Sequence, residues 1–224
     1  MTESSARYAL ESEAILVLQR YGIPYPEYGL ARGPEEAALV AEDIGYPVVL
    51  KVVSPDVVHK SDAGGVVIGL EDVEGVRGAY EGMLDTVRDA VQGARIEGVL
   101  VCKQAPPGLE VIVGALHDAT FGPTVMFGLG GVFTEVLEDV TFRVAPLERR
   151  DAEEMIREIK GHPLLAGARG QPRYDVSALA HLLLAVSQMV TDRPEIRELD
   201  LNPVRLFEHG LMVLDVRLLE EVGQ

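Results

Sequence analysis

Residues 58–66 constrain the fold of this chain most, because they join a histidine and a lysine to the glycine pair Gly64 and Gly65. The segment follows shortly after Lys51 and predicts a strand, a turn, a Gly-rich loop and a second strand. Glycines lack a Cβ atom, so backbone amides in such a loop can approach an anion closely. The lysines and the histidine add positive charge and a nucleophile for phosphoryl chemistry. The alternative is an ordinary surface turn, since isolated Gly-rich loops are weak motifs.

Charge and composition exclude several classes of protein. The 224 residues include 20 basic and 36 acidic ones, a formal net charge of −16, which argues against a nucleic-acid partner because such binding needs a concentrated basic surface. No apolar stretch approaches the roughly 18 residues that span a bilayer, and no secretory signal pattern is visible. The single cysteine, Cys102, lies in an apolar run and predicts an inert strand residue. We therefore expect a cytoplasmic protein without a membrane partner.

Apolar periodicity and turn residues predict helices and strands mixed along the whole chain. Helices are expected over residues 5–20, 33–43, 73–91, 148–160 and 174–190. Strands are expected over residues 46–53, 66–70, 96–104, 109–116, 124–128, 132–145, 196–206 and 211–218. The hairpins late in the chain argue against a purely parallel, doubly wound sheet, so the predicted class is α+β.

A second polar cluster lies near the C-terminus, where Glu198, Asp200 and Asn202 alternate with leucines. On a strand, this alternation puts the three polar side chains on one face and the leucines toward the core. A hairpin at residues 208–210 would return Asp215 beside that row. Carboxylate and amide oxygens in this arrangement suit Mg²⁺. The alternative is a strand with a solvated acidic face, although Asp and Asn are poor strand formers.

Four segments in this order resemble the ATP-grasp family, and more narrowly the β subunit of ADP-forming acetyl-CoA (acyl-CoA) synthetase, a relative of the succinyl-CoA synthetase β chain. They are Tyr-Pro-Val-Val-Leu-Lys at 46–51, His-Lys-Ser-Asp-Ala-Gly-Gly-Val at 59–66, Gly-Leu-Glu-Val-Ile-Val-Gly at 108–114 and Glu-Leu-Asp-Leu-Asn-Pro-Val at 198–204. The resemblance covers nearly the whole chain. It implies an ATP-grasp fold of two α+β lobes clamping a nucleotide, with the N-terminal lobe over residues 1–104 and the C-terminal lobe over residues 105–224.

The resemblance also implies roles for individual residues. Lys51 would contact nucleotide phosphate as a mobile point charge, and His59 would carry a phosphoryl group as phosphohistidine. The glycine loop would cover the phosphates, and residues 103–105 would form the hinge that binds adenine. Glu110 either contacts the ribose or supports its lobe. The expected nucleotide-binding residues are Lys51, Gly64, Gly65, Lys103, Gln104, Ala105 and Glu110, and the expected Mg²⁺ ligands are Asp200, Asn202 and Asp215.

Two of the site assignments keep an explicit alternative, and a third concerns a partner. Arg143 is expected, with Lys51 and His59, in the catalytic set, because a planar guanidinium suits phosphate oxygens; the alternative is a structural pair with Glu135 or Glu138. His59 itself has the alternative of an ordinary surface histidine. The glycines of residues 128–131 would form a surface that receives a phosphohistidine loop from a partner subunit.

The resemblance implies the nucleotide-binding subunit of an ADP-forming acyl-CoA synthetase, an acid–thiol ligase that uses Mg²⁺ with ATP or ADP. The chain would pass a phosphoryl group reversibly from His59 to Mg-ADP. A CoA-binding α subunit is the expected partner, in a heterotetramer of two α and two β chains. Two alternatives stay open at this point: an ATP-grasp carboxylate ligase that forms an acyl phosphate, and a non-catalytic nucleotide-sensing module.

Overall fold

A computed structural model describes residues 5–130, 139–168 and 172–222 of the chain. The described residues form two compact units. The smaller unit comprises Leu10–Glu13 and Pro26–Pro106, and the larger unit comprises the described parts of residues 1–9, 14–25 and 107–224. The functional lobes expected over residues 1–104 and 105–224 stay a prediction.

Helices and strands alternate irregularly, as an α+β chain requires. In chain order they are β1 (Ser5–Tyr8), α1 (Glu11–Arg20), β2 (Tyr28–Ala31), α2 (Pro34–Ile44), β3 (Val48–Val53), β4 (Val66–Leu70), α3 (Val73–Ala90), β5 (Gly98–Lys103), β6 (Leu109–Asp118), β7 (Gly122–Leu129), β8 (Val140–Val144), α4 (Arg149–Glu158), α5 (His162–Leu165), α6 (Val176–Asp192), β9 (Ile196–Leu206), β10 (Leu211–Val213) and β11 (Val216–Val222). The predicted α+β class is confirmed.

The smaller unit is built on a four-stranded antiparallel sheet in the order β2-β5-β3-β4. Its core contains residues of β3 such as Leu50 and Val52, together with Val76, Tyr80 and Val87 from α3. The α3 residues recur at helical spacing, so they form one apolar stripe against the sheet. Strand β3 has a neighbour on each side, which fixes the backbone that carries Lys51.

The larger unit contains a seven-stranded antiparallel sheet in the order β1-β11-β9-β6-β7-β8, with β10 paired to β9. Helices α4 and α6 pack together and against its strands. Leu199 and Leu201 of β9 are buried, as the alternating pattern predicts. Asp200 and Asn202 therefore project from the opposite face of the same strand.

The N-terminal segment differs from the helix expected over residues 5–20. Ser5–Tyr8 is strand β1, which pairs antiparallel with the C-terminal strand β11, and α1 begins only at Glu11. Pairing with a strand more than 200 residues away in sequence overrides the local helical spacing. Strand β2, which was not predicted, is likewise held by a distant partner, β5.

The predicted strand over residues 211–218 is two strands, β10 and β11, separated at Leu214 and Asp215. The interruption lies opposite Pro203 of β9. Proline has no amide hydrogen to donate to a sheet ladder. The carbonyl of Pro203 still accepts a 2.9 Å hydrogen bond from the Leu214 amide, so the two strands continue along the same edge of β9.

Several predictions fall partly on residues 131–138, which lie outside the described residues, as do Glu135 and Glu138. The extended segment predicted over residues 132–145 is confirmed in its described part by β8. In the glycine segment of residues 128–131, the amide of Gly130 donates to the carbonyl of Glu110 at 2.8 Å. Among the helices of the described ranges, none combines the length and hydropathy needed to cross a bilayer.

Candidate functional site

Three charged side chains of the smaller unit meet at a point that we call the lysine cluster: Glu11, Lys51 and Lys60. Lys51 Nζ lies 2.9 Å from Glu11 Oε1, and Lys60 Nζ lies 3.4 Å from Glu11 Oε2. Only 3% of the glutamate side chain and 9% of each lysine side chain are exposed. Burying charges is costly unless they are paired, so these contacts are strongly constrained. Glu11 thus contacts both lysines of the cluster.

The loop between β3 and β4 brings Lys60 to this cluster. The Gly65 amide donates to the Lys60 carbonyl at 2.7 Å, and the Ala63 amide donates to the His59 carbonyl at 3.2 Å. The Val52 amide donates to the Gly65 carbonyl at 2.8 Å. These bonds close the loop on itself and join it to β3, and they fix the backbone of Lys60 and His59 within the loop.

Packing explains why two glycines end this loop. Gly64 has φ +70°, and a Cβ atom there would lie 2.5 Å from Thr86 Cγ2. A Cβ atom on Gly65 would lie 2.4 Å from Val52 Cγ1. Both positions therefore exclude larger residues, because the loop approaches β3 and α3 too closely. The expected contact of Gly64 and Gly65 with phosphate stays a prediction.

His59 is exposed and directly precedes Lys60. Exposure meets one requirement of a nucleophile that exchanges a phosphoryl group with another molecule, which is access to the incoming phosphorus. The adjacent lysine cluster meets a second requirement, because cationic groups stabilise a transferring phosphoryl group. The expected role of His59 as phosphohistidine stays a prediction.

The expected hinge residues make contacts within the smaller unit. Lys103 Nζ donates to the carbonyls of Gly45 at 3.0 Å and Tyr46 at 2.7 Å. Gln104 Oε1 accepts from the Gly69 amide at 2.7 Å, and Ala105 is buried. The two polar side chains hold the neighbouring turn and strand in place. Adenine binding by residues 103–105 stays a prediction.

In the larger unit, Asp200, Asn202 and Asp215 form what we call the acidic row. The Asn202 amide donates to the Asp215 carbonyl at 3.2 Å, so these two residues face each other on neighbouring segments. Asp200 is directly opposite Arg217 of β11, and the two side chains form a salt bridge. Cross-strand neighbours bring their side chains close together, so the structure brings Asn202 and Asp215 together as the sequence predicts.

The donor chemistry of the acidic row fits Mg²⁺, since all of its side-chain donors are oxygens and Mg²⁺ prefers a few protein oxygens with retained waters. Within the described ranges, no group of three or more His, Cys, Asp or Glu side chains is arranged to hold a metal ion. The row instead offers two carboxylates and one amide. Arg217 forms a salt bridge with one member of the row, Asp200, and the role of all three residues at Mg²⁺ stays a prediction.

Glu110 and Arg143 each pair with an oppositely charged side chain that the sequence did not predict. Glu110 forms a salt bridge with Arg205, its neighbour across the sheet. Arg143 Nη2 donates to Glu158 Oε1 at 2.5 Å, and this hydrogen bond raises the pKa of Arg143. A structural ion pair for Arg143 is thus present, with Glu158 as its partner. The proposed roles of Glu110 and Arg143 at a nucleotide stay predictions.

Glu11 was not predicted as a site residue, although the sequence contains a signal for it. Glu11 shares one face of α1 with Ala14, Ile15 and Leu18, all of which are fully buried. Residues at spacings of three, four and seven lie on the same side of a helix. An acidic residue on an otherwise apolar face predicts a buried carboxylate with a cationic partner.

Comparisons of the sequence with known proteins agree with one another. The sequence model of the ATP-grasp domain family matches residues 1–219. Subunit beta of acetate–CoA ligase (ADP-forming) I from Pyrococcus furiosus is 47% identical over 213 residues, which cover 95% of this chain and 92% of that protein. Acetate–CoA ligase (ADP-forming) I from Archaeoglobus fulgidus is 50% identical over 224 residues, which cover 99% of this chain but only 32% of that protein.

One solved structure resembles this chain about as closely in sequence as these two relatives do. The dinucleotide-forming acetyl-coenzyme A synthetase 1 of Candidatus Korarchaeum cryptofilum, in complex with coenzyme A, Ca-AMPCP and HgCl⁺, is 48% identical. It superposes with a TM-score of 0.94 over 96% of this chain and 94% of that one. The chain thus matches almost all of that chain and of the P. furiosus subunit, and about one third of the A. fulgidus protein.

Proposed function

The chain belongs to the ATP-grasp family and, within it, to the family of ADP-forming acetate–CoA ligases and their β subunits, and from this premise we propose that it is the nucleotide-binding subunit of such a ligase. The observation that carries the proposal is the buried lysine cluster, in which Lys60 directly follows the exposed His59 in the sequence. Cationic groups next to an accessible imidazole are what transfer of a phosphoryl group through phosphohistidine requires.

The reaction proposed for the complete enzyme converts acyl-CoA, ADP and phosphate into acid, CoA and ATP, reversibly. In the step assigned to this chain, a terminal phosphate oxygen of ADP attacks the phosphorus of phosphorylated His59. The P–O bond forms as the P–N bond breaks, and the bonding electron pair returns to the imidazole nitrogen. Lys51 and Lys60 offset the negative charge on the transferring group. Catalysis then depends mainly on positioning and on charge stabilisation.

Mg²⁺ is the proposed cofactor, with Asn202, Asp215 and Asp200 as the residues that would hold it. When bound, the ion neutralises phosphate charge and orients the nucleotide. The oxygen donors of the acidic row support this assignment. The K. cryptofilum synthetase has also been solved with Mg-AMPPCP and with its phosphohistidine segment pointing towards the nucleotide binding site.

We further propose a CoA-binding α subunit as the partner, in an assembly of two α and two β chains. The support is that the P. furiosus relative is a β subunit, whereas the A. fulgidus relative is about three times as long as the matched region. The parts of the reaction that involve CoA and the acyl group are assigned to this partner. The proposal also covers the contacts of the glycine loop, residues 103–105, Glu110 and Arg143 with nucleotide.

Phosphorylation of His59 is the direct test. The chain and its partner subunit are incubated with Mg-ATP, quenched in alkali and measured by intact mass, for wild type, His59→Ala and His209→Ala. His209 is also exposed but lies in the turn between β9 and β10, so its variant is the matched control.

Wild type and His209→Ala are expected to gain one phosphoryl group that acid removes, because histidine phosphoramidates survive base and hydrolyse in acid. His59→Ala should gain none. The absence of a mass gain in wild type with the partner present would contradict the proposal. Acyl phosphate formation by the isolated chain would favour a carboxylate ligase instead, and nucleotide binding without any transfer would favour a sensing module.

A further inference from the structure

We infer that Glu11 is a positioning residue of the phosphoryl-transfer site, whose carboxylate fixes Lys51 and Lys60 relative to each other and thereby fixes the loop that carries His59. The inference rests on the proposed function for the identity of the group on which the lysines act. It gives a role to Glu11, which was not among the site residues predicted from the sequence.

The geometry gives each carboxylate oxygen of Glu11 a different lysine. Oε1 lies 2.9 Å from Lys51 Nζ, and Oε2 lies 3.4 Å from Lys60 Nζ. The first contact is a hydrogen bond between charged groups, which is among the stronger bonds available to side chains. A carboxylate that spans two ammonium groups sets their separation, whereas a carboxylate with one partner would leave the second lysine independent.

Burial makes this arrangement consequential. The three side chains are almost completely withdrawn from solvent. In such surroundings two like charges repel strongly, and an opposite charge between them removes most of that repulsion. The Glu11 carboxylate therefore contributes to holding the two ammonium groups in their places.

The three groups come from three different parts of the smaller unit. Glu11 lies in the first turn of α1, where the helix dipole favours a negative charge. Lys51 lies on the inner strand β3, whose backbone is held on both sides. Lys60 lies in the loop, and its carbonyl accepts the Gly65 amide. Glu11 and Lys51 thus lie on regular elements of secondary structure, and their contacts restrain Lys60 and the loop.

The consequence for His59 follows from sequence adjacency. His59 precedes Lys60, and its carbonyl accepts the Ala63 amide within the same closed loop. A change in the position of Lys60 therefore moves His59 with it. Because a displacement of about 1 Å can cost about 100-fold in rate, Glu11 can control transfer without contacting the substrate.

Two measurements on four variants test the inference. The variants are Glu11→Gln, Lys60→Met, the double variant of both, and Glu81→Gln as the control. Glu81 is an exposed acid on α3 of the same unit, so its substitution removes one carboxylate without touching the cluster. The double variant retains one lysine of the cluster and so avoids two buried like charges, which protects the test against failure of Glu11→Gln to fold.

The first measurement is hydrogen exchange of the peptide that covers residues 57–66 in the isolated chain. Loss of the Glu11–Lys60 contact should speed hydrogen exchange of the loop amides by about tenfold in Glu11→Gln. Exchange in Glu81→Gln should match that of wild type. Unchanged exchange would overturn the inference. This result does not depend on activity, so it decides the structural link even if wild type forms no ATP.

The second measurement is ATP formation from ADP by the chain with its partner subunit. Glu11→Gln should lower kcat/KM for ADP by about 10- to 100-fold. The kcat/KM of the double variant should be no lower than that of the more impaired single variant, because both substitutions break the same Glu11–Lys60 contact. Activity within about twofold of wild type, or losses that multiply in the double variant, would overturn the inference. A wild-type complex that forms no ATP would contradict the proposed function separately.

Discussion

Arg217 of β11 forms a salt bridge with Asp200 of β9, and the two residues are direct cross-strand neighbours in the antiparallel ladder. One of the three oxygen-bearing residues of the acidic row therefore already has a cation beside it. A second cation at Asp200 must compete with the guanidinium group, because both draw on the same carboxylate. This competition makes the contributions of the three residues distinguishable by experiment.

Asp215→Asn is expected to raise the Mg²⁺ concentration needed for half-maximal ATP formation by about tenfold or more, because it replaces an anionic oxygen donor with a neutral one. The measurement is a Mg²⁺ titration of activity with the partner subunit present. Glu208→Gln is the control, since Glu208 is an exposed acid in the same hairpin. Equal effects of both substitutions would contradict a specific role for Asp215.

Arg217→Gln should act in the opposite direction. Removing the guanidinium group takes away one cation that competes for the Asp200 carboxylate, so Mg²⁺ should bind several-fold more tightly in the same titration. The double substitution Arg217→Gln with Asp200→Asn should lose this gain. Weaker Mg²⁺ binding by Arg217→Gln alone would instead indicate that the salt bridge orients Asp200 for the ion.

Asp175→Ala should destabilise the protein in a pH-dependent manner. The Asp175 carboxylate accepts hydrogen bonds from the amides of Gly210 and Ala178, both at 2.9 Å. These bonds lower the pKa of Asp175, the one from Gly210 most. The stabilisation is therefore fully present above the unfolded-state pKa of about 3.9 and is lost as the pH falls through the lower folded-state pKa.

Urea unfolding at several pH values tests this prediction. The difference between wild type and Asp175→Ala should be about 1 kcal/mol or more near neutral pH and should shrink in acid. Asp89→Ala provides the comparison, since Asp89 is exposed on α3. A difference for Asp175→Ala that stays constant into the acid range would show that the lowered pKa does not contribute to stability.

Gly65→Ala is expected to destabilise the protein by about 1 to 3 kcal/mol, because the added Cβ atom would lie 2.4 Å from Val52 Cγ1. Val52→Ala removes that γ-methyl group and should restore part of the loss when the two substitutions are combined. Thermal or urea unfolding of the two single variants and the double variant measures this coupling. If the two losses of unfolding free energy simply add in the double variant, the cost of Gly65→Ala does not come from contact with Val52.

Local sequence patterns predicted the elements whose neighbours in space are also close in sequence or whose apolar pattern is regular. The strand over Ile196–Leu206 was predicted with the correct bounds, and its alternation correctly put Leu201 in the core. Strand β1 was predicted as helix because its stability comes from a partner strand at the other end of the chain. No window of a few residues contains that information.

In the candidate site, too, the sequence predicted some residues and could not predict others. Lys51 and Asn202 lie in strands, where their residue types are uncommon, and Asp215 falls in a segment predicted as strand, so the sequence alone drew attention to all three. The ion pairs of Arg143 with Glu158 and of Asp200 with Arg217 depend on the register of separate segments. Their partners could not be predicted, because any of several acids or arginines fits each of them equally well in sequence.

The pairing of β1 with β11 has a consequence for how this chain can be joined to others. Ser5 lies opposite Val222 in antiparallel register at the edge of the larger sheet, so the first strand begins where the last strand ends. A second polypeptide fused before the first strand or after the last one would thus start from nearly the same point. A short linker between the two ends should likewise permit circular permutation, with new termini opened in an exposed turn such as the one at Glu208.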